Sequence, residues 1–386
     1  MRNLYWLIQL SMSLALTGMG CSAGKFSQPL TLGGETVSAE KLNRGYEGYT
    51  LYCLPCHGEN GDGKGLSGNG LRPPPRDFTQ GLFKFGGVAA PALPPDSELK
   101  RIVRGGLHGT AMLPWDVNDS DLTDILAYVK TFSPKWSTEK PGAIIETSPD
   151  PYGAAKKEEA IATGRKLYHA KAQCSGCHPS YVTHEELFNI TKEMSGTGQT
   201  EFSADMYHSQ LKDSEYCLEW KAGWKKIEDR ECAKPVKVMP PDFTRDPIRN
   251  VRLPRHAAPN RPEAEAVTDE TTTKDLYRTI ASGIGGANMP TWKGALKEEE
   301  IWGLVYYVKS LVAMNSATDA KAHADANALH ARLADPANLS WAPPKPPEPP
   351  PVAPPGAPGA PAAPGAPAAP AAPAAPAKPA APKPAK

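Results

Sequence analysis

Two five-residue runs restrict this chain more than anything else in it: Cys53-Leu54-Pro55-Cys56-His57 and Cys174-Ser175-Gly176-Cys177-His178. In a C-x-x-C-H run, two thiols can bond to the vinyl groups of one haem, and the adjoining imidazole becomes the proximal iron ligand. Cys53, Cys56, Cys174 and Cys177 therefore read as attachment residues, with His57 and His178 as iron ligands. Two copies imply two covalently bound haem c groups. A four-cysteine zinc site would have to join pairs more than a hundred residues apart, whereas zinc ribbons use far shorter spacings. A thioredoxin-type pair expects a βαβ setting, and the flanks here read as helix and loop.

The chain has seven cysteines, and the other three also have chemical roles. Arg2, an apolar run from Leu4 to Leu16 and small residues up to Gly20 read as an export signal ahead of Cys21. The small residues before Cys21 resemble a bacterial lipoprotein signal, which implies lipidation of Cys21, although Gly18 stands where leucine is usual. The alternative is an uncleaved N-terminal helix as membrane anchor, for which the run is short. Either reading expects an exported chain on the periplasmic side of a membrane. There Cys217 and Cys232 are expected to form a disulfide, worth roughly 3 kcal/mol by loop-closure entropy. The formal net charge of +1 leaves no nucleic-acid footprint. From about Ser340 the sequence becomes proline and alanine, which cannot build a packed core and reads as a disordered polyproline spacer.

Between these ends the same unit is written twice. Gly45 and Leu51-Tyr52 precede the first motif; Gly164, Leu167 and Tyr168 precede the second. A Pro-x-Asp-Phe-Thr element follows each motif, at Pro75–Thr79 and again at Pro241-Asp242-Phe243-Thr244. Leu99 and Leu276 each lie thirteen positions before a methionine, Met112 and Met289. Each copy closes on an amphipathic helix ending in Tyr-Val-Lys, Leu122 to Phe132 and Glu298 to Leu311. The divisions are an export signal over 1–21, a first unit over 22–140 and a second over 150–315. An insertion lies at about 183–238, and 316–386 hold a short helical extension and the tail. The link from Ser133 to Pro151 reads as a mobile joint.

Met112 and Met289 read as the sixth iron ligands. Each follows a glycine-rich turn and precedes a proline and a tryptophan, so its loop is restrained. A thioether favours ferrous iron and leaves no open coordination position. Met239, Met206 and Met194 are rival ligands, and His108 in place of Met112 would give a bis-histidine site. His169, His184, His208 and His256 read as surface or loop residues. The run Gly58–Gly65 lacks the spacing of a phosphate or calcium motif and reads as tight turns beside the ring. Arg72 and Arg76 are candidate partners for the haem carboxylates, and the insertion, with Trp220 and Trp224, is a candidate docking face.

This order of motif, loops, methionine and closing helix resembles the class I cytochrome c family over about residues 40–135 and 158–315. The resemblance implies a mainly α fold: two tandem cytochrome c domains, each a small helical bundle around its haem. It also implies a tight crossing of first and last helices, at Gly45, Tyr49 and Tyr128 and at Gly164, Tyr168 and Tyr307. The expected function is one-electron transfer with redox proteins as donor and acceptor, not catalysis. The alternatives are a dihaem peroxidase-like enzyme and a haem subunit of a membrane oxidoreductase complex.

Overall fold

The computed structural model describes residues 24–223, 229–251, 268–315 and 319–345. The export segment with Cys21, together with Trp224, His256 and the Pro/Ala tail, lies outside them. The described structure is mainly helical, with two small antiparallel hairpins.

In the first half, a short hairpin of β1 (Leu30–Leu32) and β2 (Glu35–Val37) leads to Ser38, whose hydroxyl caps helix α1 (Ala39–Tyr52) by accepting from Lys41 N. One helical turn, Leu54–His57, carries the first motif. Helix α2 spans Asp96–Gly105, and α3 spans Asp119–Lys130 behind an Asn118 cap. The second half repeats this plan with α4 (Lys157–Lys166), α6 (Asp269–Ser282) and α7 (Glu298–Ala313). Between α4 and α6 the insertion supplies α5 (His184–Ser195), opened by a Thr183/Glu186 capping box. It also supplies an antiparallel hairpin of β3 (Lys212–Trp220) and β4 (Cys232–Val238), closed by the Cys217–Cys232 disulfide. Helix α8 (Ala320–Leu333) follows.

Small residues let the first and last helices of each half cross almost in contact. A Cβ built on Gly45 would lie 2.0 Å from Asp124 O, and one on Gly164 would lie 1.9 Å from Gly303 O. Tyr49 and Tyr128 meet beside the first crossing at 5.3 Å between ring centroids, and Tyr168 and Tyr307 meet beside the second at 5.4 Å. Tyr49 donates to Gly58 O at 2.6 Å and Tyr168 to Pro179 O at 3.0 Å, each acceptor being the residue after a motif histidine. Tyr168 thus stands where Tyr49 does, as the helix-crossing resemblance implies, and not where Tyr52 does. Tyr52 instead meets Trp115 edge-on. Four positions separate Tyr49 from Cys53 and six separate Tyr168 from Cys174. The two extra residues are taken up by a π-helical turn over Leu167–Lys171 and by Gln173 at φ 51°.

Each half has its own hydrophobic core. Leu42, Tyr49, Leu93, Leu122, Tyr128 and Trp136 anchor the first; Tyr168, Tyr277, Ile301, Leu304, Val305 and Tyr307 anchor the second. A smaller cluster under α5 joins Val182, Leu187, Ile190 and Met206. The described residues up to Pro343 nevertheless form one compact unit. The 133–151 link is fixed along both halves, contrary to the mobile joint expected. Trp136 is fully buried in the first core and Ile145 is buried in the second. Gly142 N donates to Leu93 O and Ile145 N to Gly87 O, while Ser148 bonds both Tyr277 and Trp302. Buried Glu98 pairs with Arg101 at 2.8 Å and, across the halves, with Arg278 at 3.5 Å.

Packing also continues past Ser340. Trp341 meets Phe188 and Phe202, and Asn338 accepts from His184 N. Among the described residues, no helix is long and apolar enough to cross a membrane.

Candidate functional site

The first motif follows α1 directly, so its turn leaves the helix with the two thiols and the imidazole on one wall. Cys53, Cys56, His57 and Met112 line a single cavity, with Leu99, Val103, Trp115, Leu122, Ile125 and Val129 among its apolar walls. His57 Nδ1 lies 3.0 Å from Arg76 O. A carbonyl can only accept, so Nδ1 carries the proton and the Nε2 lone pair is free to bind a metal. Burial holds the imidazole below its ordinary pKa, against the raising effect of that hydrogen bond, so it is neutral and competent to bind metal. Phe78 stacks on the ring at 4.5 Å and fixes its plane. The Cys53 thiol is pushed up to about 12 by burial and then by Cys56, as expected in an apolar wall.

The second motif is held by the same devices. His178 Nδ1 lies 2.9 Å from Pro241 O, and Phe243 stacks on the imidazole at 4.6 Å. Burial again lowers the histidine pKa. The Cys174 thiol is raised to about 12, by burial first. Cys174, Met289 and Trp292 all pack against the second core. The Pro-x-Asp-Phe-Thr element therefore has two functions at once, a backbone acceptor for the motif histidine and an aromatic plate against it. Its aspartate shapes the turn: Asp77 Oδ1 accepts from Thr79 N and Oγ1, and Asp242 Oδ1 from Thr244 N and Oγ1.

The methionine loops match as well. Leu107 N donates to Met112 O at 2.8 Å and Ile284 N to Met289 O at 3.0 Å. The loops fold back so closely that a Cβ on Gly106 would lie 2.8 Å from Met112 O, and one on Gly283 2.5 Å from Met289 O. Both glycines have positive φ, 66° and 68°. Lys130 and Lys309 brace these arrangements from α3 and α7, bonding Asp96 and Thr273 respectively, at matching positions sixteen before each methionine.

The rival ligands sit elsewhere. Met239 is 62% exposed, Met194 is exposed, and Met206 is buried in the cluster under α5. The first cavity is lined by Met112 and its neighbours Leu107, Thr110 and Ala111, with His108 not among them. The cysteine pairs pack against different cores, so no joint four-cysteine site is formed. Two histidines expected at the surface belong inside. His169 is buried, bonded by Nδ1 to Arg165 O and by Nε2 to Tyr181 N, and its pKa is lowered to about 4, mainly by burial. His184 is buried against Phe202. Sequence reading also missed Tyr216. Its hydroxyl accepts from Asp77 N, its ring lies 4.4 Å from the Arg76 guanidinium, and it borders the first cavity. One face of the insertion is thus turned onto the first site.

Residues 40–129 and 256–308 match the family model for cytochrome C oxidase, cbb3-type, subunit III. The first segment contains Cys53–His57 and Met112; the second contains Met289 and most of α7 but not the second motif. These matches support a c-type cytochrome. A chain of the Kuenenia stuttgartiensis reducing HAO-like protein complex is similar in fold, with TM-score 0.50 and 23% identity. That similarity covers 70% of this chain and 96% of that one. No curated protein matches the chain.

A c-type cytochrome implies covalently bound haem c, and the residues fit it. The first cavity offers paired thiols, a neutral imidazole with a free Nε2, a thioether from a separate loop, and apolar walls. When bound, the haem iron supplies the one-electron couple; the chain holds its ligands, excludes water and sets the surrounding charge.

Proposed function

We propose that this protein is a dihaem c-type cytochrome that carries single electrons in a bacterial respiratory or periplasmic chain. The observation that carries this reading is the duplication of the same holding devices around both motifs. In each half a backbone carbonyl fixes the proximal histidine, a phenylalanine stacks on it, and a methionine sits on a hydrogen-bonded glycine loop. Cys53 and Cys56 would hold one haem with His57 and Met112 as ligands; Cys174 and Cys177 would hold the other with His178 and Met289. Two sites saturated by histidine and methionine favour electron carriage over peroxide chemistry, which needs an exchangeable position.

Export with lipidation at Cys21 would keep the carrier on the periplasmic side of its membrane, with the proline-rich tail as a spacer. The HAO-like neighbour is described as a protein complex, which favours a second reading, a haem subunit within a larger redox assembly. The test uses the full chain matured in an export-competent host. A carrier takes up two electrons per chain, exchanges them with an outer-sphere oxidant and does not turn over peroxide. Steady peroxide turnover would instead establish an enzyme, and co-purification of a stoichiometric partner would establish the subunit reading.

A further inference from the structure

Three cations line the first cavity: Arg76, Lys84 and Arg249. Among the described residues, no carboxylate lies within ion-pair distance of any of them. Burial, followed by Arg76 and Arg249, pushes the Lys84 ammonium down to about 7, so the three charges face one another. Like charges gathered in an apolar cavity are costly unless an anion meets them. Arg76 and Lys84 come from the first half, but Arg249 comes from the second.

The loop bearing Arg249 is held from both sides. Ile248 and Val251 are buried in the second core. On the other side, His108 N donates to Arg249 O at 3.1 Å and Arg101 Nη1 donates to Asn250 Oδ1 at 3.0 Å. Strand β3 lies alongside. Gln80 and Cys217 exchange two hydrogen bonds, of 2.9 and 3.0 Å, and Ser214, Tyr216 and Val236 border the cavity. The second site has no such charge on its Asp-Phe-Thr element, because Pro241 stands where the first copy has Arg76.

We propose that the second half completes the first haem site. Arg249 joins Arg76 and Lys84 in binding the two carboxylates of that haem, while β3 and β4 wall it from water. This rests on the reading that Cys53–His57 carries haem.

The experiment uses Arg249→Gln, Arg249→Lys and Lys84→Gln in the full chain, matured with haem. Intact mass first counts the covalent haems. Redox titration then reads both midpoints, the first haem being identified as the one whose midpoint Met112→His moves. Removing a cation favours the ferric state, so Arg249→Gln and Lys84→Gln both lower the first midpoint. Each shift corresponds to about a tenfold change in a one-electron equilibrium, ~59 mV. Arg249→Lys restores most of the loss, and the second midpoint stays in place. Unmoved midpoints in a chain carrying two haems would overturn this inference alone. So would a wild-type first midpoint that follows added phosphate, which would make a free anion the ligand. A chain without haem on Cys53 and Cys56 would remove the dihaem reading and this inference with it.

Discussion

In the second half, the hydroxyl that reaches the Asp-Phe-Thr element comes from Tyr181, three residues beyond His178 and within the same copy. It accepts from Phe243 N at 2.8 Å and donates to Asp242 at 3.1 Å. In the first half, the corresponding hydroxyl comes from Tyr216, on a strand that belongs to the other copy. Both elements accept a hydrogen bond from a motif histidine and both are held within their own half, Phe78 N donating to Gly61 O at 2.6 Å in the first. Only the first also takes a hydroxyl from the other copy. Duplication explains what the sites share: the glycine crossing, the stacked phenylalanine and the pinned methionine. The insertion explains where they differ, since one segment of the second copy serves the first site. Two similar sites can thereby be placed in different surroundings, which is how a protein separates the potentials of chemically identical groups.

The helix crossings should be the most sensitive shared feature. Gly45→Val and Gly164→Val each force a side chain into a backbone carbonyl. Each should cost about 3 kcal/mol or more in denaturant titrations, with loss of soluble holoprotein as the extreme outcome. If one is tolerated within experimental error, the two crossings are not equivalent.

The disulfide separates the halves more finely. Cys217→Ala/Cys232→Ala should cost roughly 3 kcal/mol by loop-closure entropy. Its spectroscopic effect should fall on the first haem, although both cysteines lie in the second copy. A change confined to the second haem would contradict the placement of the hairpin.

Acid should act on the second half. His169 has its folded pKa depressed to about 4 from an ordinary value of 6.5, so between those pH values the unfolded chain binds the extra proton. The neutral form is undisturbed above that window, and stability is lost as pH falls through it, by about 2 kcal/mol at pH 5. The matching position in the first half, five residues after Gly45, is exposed Thr50, which has no comparable sensitivity. His169→Gln should flatten the stability–pH curve between pH 6.5 and 4; an unchanged slope would remove His169 as its cause.

The smallest expected effect is local. Tyr216→Phe deprives Asp77 N of its acceptor at about 1 kcal/mol and should shift the first haem only, while Tyr181→Phe should shift the second only. Equal effects of both variants on both haems would erase the distinction between the sites.

Local chemistry was legible in the sequence because it is written at fixed spacing. The two motifs, the Asp-Phe-Thr elements, the methionine loops and the Tyr-Val-Lys helix ends each repeat their own internal spacing in both copies. The placement of β3 and β4 was not legible. Tyr216 and Cys217 meet Asp77 and Gln80 some 139 and 137 positions away, and no periodicity encodes such a contact. The 133–151 link looked mobile because proline and serine mark loops, yet Trp136 and Ile145 are its anchors in two different cores. His169 was misread for a related reason. A π turn rotates it inward, and two extra residues before a motif do not announce a π turn. Trp341, just inside the change in composition near Ser340, is held by two phenylalanines from the insertion.

The most direct measurement is a near-infrared and visible redox titration of the full chain, with covalent haem counted by mass. Two haems per chain are expected, both low-spin, each with the methionine–iron charge-transfer band. Met112→His should abolish one band and Met289→His the other. A single haem, or one that is high-spin or shows no methionine band in the wild-type chain, would contradict it.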